Sequence, residues 1–140
     1  MSSAITNLLK AQQRAMQNRP HVGGFPYLAE TLKQFGILKN SWTLPSCQSL
    51  YLTKDGPVVM QGTPLMIGTF DIPKFDEQAL IKAIRIDQAG NSTFNDFLLS
   101  AWMAGVVTYE VDFILRTVTY YGCNQESYIE EYPQVTLTDF

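Results

Sequence analysis

A chain of 140 residues with 46% hydrophobic and 16% charged side chains has the size and composition of one globular domain with its own core, which excludes a disordered tail and a staple-dependent mini-protein. Its longest apolar stretches, such as residues 97–107, fall far short of the ~20 residues that a membrane-spanning helix needs. A net charge of −3 argues against non-specific binding to nucleic acid.

The first segment, MSSAITNLLKAQQRAMQN, lacks the basic stretch, apolar core and cleavage site of a secretory signal, so a cytoplasmic location is expected. Ile5, Leu8, Leu9, Gln12, Ala15 and Met16 mark it as an amphipathic helix. RPHVGGFPYLAE follows, holding the only histidine, and opens a second helix on Phe25, Leu28, Ala29 and Leu32. Gly36 closes that helix, since glycine readily takes the left-handed backbone of a helix end. Leu38, Trp42 and Leu44 then recur with strand period, and QSLYLT and PVVMQ read as a hairpin around Lys54-Asp55-Gly56.

GTPLMIGTFDIPKF leads into what reads as a second copy. Leu80, Ile81, Ala83 and Ile84 mark its first helix. Phe94, Phe97, Leu98, Ala101 and Trp102 mark its second, which starts at Thr93 with Asp96 three residues on and stops at Gly105. Val107, Tyr109, Val111 and Phe113 alternate as a strand, and TVTYYG and ESYIEE form a hairpin with a weaker turn signal at Asn124. A shift of 69 positions superposes Phe25 on Phe94, Gly36 on Gly105, Tyr51 on Tyr120, Pro64 on Pro133 and Thr69 on Thr138, and the apolar registers agree along with them.

The expected fold is therefore α+β: two tandem ααβββ repeats, 1–70 and 71–140, related by a pseudo-twofold axis in a single domain over 1–140, with antiparallel sheet covered by helices. Because the tail VTLTDF aligns with part of the linker, it is expected to be ordered.

The first copy has three more residues than the second between its paired helices, within the stretch that holds His21, Val22, Gly23 and Gly24. Glycines ahead of a helix start let backbone N–H groups approach an anion, and Arg19 and His21 add charge or donors. The stretch is neither a P-loop nor a dinucleotide fingerprint. The plainer reading is a connection: Pro20 stops one helix and the glycines permit a turn.

Cys47 would be a nucleophile if His21 stood beside it; otherwise it is a half-buried thiol near the sheet edge. Cys123 falls in a hairpin loop. Two cysteines and one histidine make no four-ligand zinc site without carboxylates, so no metal or cofactor is expected. Glu110 and Asp112 share a strand face as a possible acid/base pair, or, with Arg116 nearby, as a solvated ion-pair face. Tyr120, Tyr121, Tyr128 and Tyr132, with Glu130, give the last hairpin an aromatic and acidic character suited to binding a protein. Residues 1–40 carry five basic side chains against Glu30 alone, and residues 110–140 six acids against Arg116 alone, an asymmetry read first as two solvated faces and otherwise as drawing the chain's ends together or serving a partner.

RPHVGGFPYLAE, WTLPSCQS, IDQAGNSTFNDFLLSAWMAGVVTYEVDF and RTVTYYG resemble a domain-of-unknown-function family of small bacterial and prophage-borne proteins, often labelled phage envelope protein. The resemblance covers nearly the whole chain and implies a small α+β fold built by duplication. It implies no activity, substrate or catalytic residue. The envelope label fits poorly with a chain showing no membrane segment or export signal, whereas the prophage association implies a cytoplasmic protein acting on a host or phage partner. The expected function is a non-catalytic cytoplasmic binding or interaction protein, with a protein partner or self-association as its readout. The alternative is a small-molecule or anion site, possibly enzymatic, at Arg19, His21, Gly23, Gly24 and Cys47.

Overall fold

The computed structural model describes residues 2–137. Helix α1 (Ser3–Asn18) starts at Ser2, whose hydroxyl accepts the Ile5 N–H at 3.2 Å, relieving one of the unpaired donors of the first turn. Helix α2 (Phe25–Gln34) leads through Gly36 into β1 (Ile37–Thr43), β2 (Gln48–Thr53) and β3 (Gly56–Gln61). Helices α3 (Glu77–Gln88) and α4 (Phe94–Met103) then lead through Gly105 into β4 (Thr108–Asp112), β5 (Thr117–Tyr121) and β6 (Ser127–Glu131). The expected ααβββ order recurs. Gly36 and Gly105 both close their helices at positive φ, +83° and +89°. Thr93 and Asp96 form a full capping box at the start of α4.

All six strands make one antiparallel sheet in the order β3-β2-β1-β4-β5-β6, so the halves join edge to edge through β1 and β4. Ser41 pairs with Glu110, its own equivalent under the 69-residue shift. The pseudo-twofold axis therefore passes between those two residues. The first hairpins share one register, with Ser41 opposite Leu50 and Glu110 opposite Thr119. In the second hairpins the offset grows to 70: Val59 faces Leu50 where Ile129 faces Thr119. The cause is the loop, since Lys54-Asp55 turns the chain tightly, whereas Gly122 closes on Glu126 across Cys123, Asn124 and Gln125.

The helices lie on the sheet face that buries Tyr51, Val58, Tyr109, Val111, Val118 and Tyr120, and one hydrophobic cluster draws on both repeats. Leu8, Ile37, Leu80, Leu98, Val106 and Phe113 are its largest fully buried apolar side chains, each worth roughly 1.5–3 kcal/mol by removal from water. One expectation fails locally. Leu38 does not open the inward stripe of β1: a bulge between Ile37 and Lys39 turns Ile37 inward and Leu38 out, as an inserted residue does to a strand's parity. The buried polar residue Asn40 on the same stripe is satisfied by donating to the Leu50 carbonyl at 3.2 Å.

The linker is fastened near its two ends and at Phe70. Gly62 and Leu65 donate to Cys47 O and Pro45 O, Phe70 meets Trp102 edge to face, and Asp76 N–H donates to Ala104 O at 2.8 Å. Phe75 occupies the space where Gly105 and Gly122 lack a Cβ. The tail is described as far as Leu137 without helix or strand. Thr138, with Asp139 and Phe140, lies outside the described residues.

Candidate functional site

The opening loop forms a tie between the repeats. Gly23 donates its N–H to Gln88 O at 3.1 Å, and the His21 ring and Val22 sit against Gly90, where an added Cβ would stand 3.1 Å from each. The connections differ by one residue rather than the expected three, 19–24 against 89–93, because α3 ends at Gln88, and the first reaches across to the second. Gly24 is required sterically, because a Cβ there would collide with the Pro20 carbonyl oxygen. Arg19 closes α1 by donating to Ala15 O, and the side chains of Arg19 and His21 are exposed. The Gly23 N–H that an anion would use is already bonded within the fold.

Cys47 lies at the end of the β1–β2 turn, one residue before β2, and is buried rather than half-buried because the linker folds over it at Gly62 and Leu65. Burial pushes its thiol pKa up, with a backbone hydrogen bond from Leu65 opposing. This is the reverse of what activates a thiol nucleophile. Its counterpart is Arg116, at φ +57° beside +60° for Cys47, so both repeats close this turn with a left-handed residue. Cys123 is exposed.

The aromatic hairpin is not one surface. Tyr120 is buried, Tyr128 and Glu130 are half-buried toward the helices, and Tyr132 meets the ring of Phe25 edge to face at 5.1 Å. Tyr121 alone of the four points to the opposite, open face. Period-two alternation separates Tyr120 from Tyr121, a signal already present in the sequence. Trp42, Tyr109, Tyr120 and Tyr128 stand in one row across four strands, with successive rings 5.7–6.5 Å apart. Arg85 of α3 clasps both oxygens of Glu130, at 2.9 and 2.7 Å, and the Tyr128 hydroxyl donates to the same carboxylate at 2.6 Å. Burial alone would raise the Glu130 pKa, but these bonds and the Arg85 charge outweigh it and leave it lowered. This cluster fastens α3 to the edge strand.

Both exceptions in the charge distribution pair with each other. Glu30 of α2 and Arg116 of the β4–β5 turn meet at 3.4 Å, with side chains 10% and 20% exposed. Lys39 stands 3.8 Å from Glu110 and 3.9 Å from Asp112, so those carboxylates answer to Lys39 rather than to Arg116. Lys39 is thus the N-terminal base that meets C-terminal acids across the β1/β4 junction, and it does so at a part-exposed surface.

What the sequence reading missed is the open face of the sheet. Its outward side chains form three rows. The central row runs Val59, Leu50, Ser41, Glu110, Thr119, Ile129; one flanking row runs Pro57, Leu52, Lys39, Asp112, Thr117, Glu131; the other ends in Tyr121 and Ser127. An antiparallel sheet with one solvated face ordinarily turns polar residues outward. Here Leu50, Leu52, Val59 and Ile129 are 44%, 41%, 59% and 59% exposed, and Tyr121 is 37% exposed. Two apolar flanks border a charged centre.

Among the described residues no helix is long and apolar enough to cross a membrane, and no group of three or more His, Cys, Asp or Glu could hold a metal ion. A family described as a protein of unknown function, DUF1398, matches residues 13–131, and the chain belongs to that family. Similar proteins are the uncharacterized protein Rv2012 of Mycobacterium tuberculosis and the uncharacterized protein Mb2035 of Mycobacterium bovis. Each is 51% identical over 135 residues, spanning 96% of this chain and 82% of the relative. Neither the family description nor these names carry the phage envelope label.

Proposed function

We propose that the chain is a non-catalytic interaction protein whose binding surface is the open face of the sheet. The carrying observation is the outward display of Leu50, Leu52, Val59, Ile129 and Tyr121 on a sheet whose other face is packed under helices. Exposed apolar patches mark interaction sites on a folded domain, and Leu50, Leu52 and Val59 on adjacent strands form one, with Ile129 and Tyr121 across the charged centre. A cytoplasmic setting goes with this reading. A prophage setting would give it a host or phage protein as partner, and the family description and relatives' names offer that no support. The anion site at Arg19, His21, Gly23, Gly24 and Cys47 is the weaker proposal, since the Gly23 N–H is bonded to Gln88 and the Cys47 thiol is buried.

The test is a photo-crosslinking side chain at position 50, compared with one at Lys10 on exposed helix surface, with irradiation in cells. A discrete adduct at position 50 and none at position 10 is the expected result. Equal, diffuse labelling at both positions would refute the open face as a binding surface.

A further inference from the structure

Resting on that reading of the open face, we infer that its occupant is a second copy of this chain, stacked face to face about a twofold axis parallel to the strands. The face is self-complementary about its own centre. Lys39 on β1 and Asp112 on β4 lie opposite each other in one row, on either side of the centre line. Val59 on edge strand β3 and Ile129 on edge strand β6 end the central row on the two sides.

A twofold axis parallel to the strands, midway between two facing sheets, lays β1 of one copy over β4 of the other and β3 over β6. Lys39 then faces Asp112 of the second copy, twice by symmetry, and Val59 faces Ile129, also twice. Glu110 meets Ser41 instead of another Glu110. An axis perpendicular to the strands within the same plane would instead set Glu110 over Glu110, so the charges select the first arrangement. Leu50 and Val59 with Ile129 of the second copy close an apolar cluster on each side of the charged centre.

The dimensions agree. Six strands at about 4.8 Å spacing and five residues at about 3.3 Å give roughly 29 Å by 17 Å, or about 500 Å² in projection. That is the order of the ~800 Å² of accessible surface that each partner of a standard interface buries once side-chain relief is counted. Sheets stack about 10 Å apart with their strands within about 30° of each other, so the alignment of β1 over β4 survives the twist near the axis.

Sedimentation velocity at low and high salt tests this with Lys39→Asp, Asp112→Lys, the double variant and a mixture of the two single variants, each checked for folding by circular dichroism. The wild type is expected to dimerise, more weakly as salt screens the pairs. Each single variant sets like charges face to face and weakens association roughly tenfold or more; Asp112→Lys also removes the acceptor of the Ile114 and Leu115 N–H groups, so Lys39→Asp, which leaves that turn intact, is the deciding single variant. The double variant restores it. The mixture also restores it, as a heterodimer, although neither chain in the mixture regains its internal Lys39–Asp112 pair. A wild type that stays monomeric, or a dimer indifferent to the charge reversals, overturns the second-copy proposal. If position 50 then crosslinks to a different protein, the interaction reading stands without it; if it crosslinks to nothing, both fall.

Discussion

Replacing Arg116 by Met should destabilise the fold by about 2–3 kcal/mol, because it leaves the Glu30 carboxylate without its counter-charge beneath α2. Breaking a buried ion pair from one side costs about 3–5 kcal/mol. The contact here is looser: both guanidinium–carboxylate distances are 3.4–3.5 Å, Arg116 keeps 20% side-chain exposure and its Nε has no partner. The low end of the range, or just below it, therefore applies. Met retains the aliphatic stem and carries the same strain at φ +57°, so neither packing nor backbone confounds the comparison. The double variant Glu30→Leu/Arg116→Met removes both charges and should lie within about 1 kcal/mol of wild type.

Urea unfolding at pH 7 reads this directly. With a slope of about 1–3 kcal/mol/M, the single variant should shift its midpoint by about 0.7–3 M at an unchanged slope. Because the pair joins the first repeat to the second, a single transition in all four proteins also tests the proposal that residues 1–140 fold as one unit. A double variant as unstable as the sum of the two singles would refute the reasoning, since it would mean that Glu30 and Arg116 do not interact.

Ellman's reagent should label one thiol in the native protein, the exposed Cys123, and reach Cys47 only at the unfolding rate; prompt labelling of both would show that the linker does not seal the β1–β2 turn. Burial raises the phenol pKa of Tyr51, Tyr109, Tyr120 and Tyr132, the last to about 12, so these groups hold their protons in the folded state beyond the unfolded value of about 10. Their stabilising contribution is whole below about pH 10 and is lost as pH rises from there toward their folded values. Phenolate absorbance near 295 nm should accordingly rise together with loss of the circular dichroism signal, and ionisation of these four tyrosines with the signal intact would contradict it.

Much of the architecture was readable because it is written twice. The apolar stripes of α2 and α4, the helix-closing Gly36 and Gly105, and the capping box at Thr93 are local features whose physics needs no distant partner. Features that depend on tertiary context were not readable. Nothing in the run Gly36 to Asn40 announces the bulge that exchanges Ile37 for Leu38, because a bulge is decided by how β1 meets β2. The extra length expected around His21 shrinks to one residue because α3 stops at Gln88, and the contacts of Gly23 with Gln88 and of His21 with Gly90 exist only in the folded chain. Composition groups the hairpin tyrosines, whereas their alternation along β5 divides Tyr120 from Tyr121.

QSLYLT shows how the open face could have been found. Within it Ser49, Tyr51 and Thr53 are buried while Leu50 and Leu52 are exposed, the inverse of what transfer free energies favour for Ser, Thr and Leu. A slip of one residue would turn both leucines inward. It would also expel Tyr51 from its contact with Gln12, whose side-chain amide donates to the Tyr51 hydroxyl at 3.2 Å. The turn would be lost as well, where the Thr53 hydroxyl donates to Gly56 O at 2.8 Å and accepts the Asp55 N–H at 3.1 Å. The hairpin register is thus pinned by Tyr51 and the Thr53 turn, and the leucines are held outward against the hydrophobic effect. Apolar side chains on the outward face of a strand are what a layer packed on that face would bury. One side is covered by α1 to α4, and the pattern on the other is what a second layer would complete.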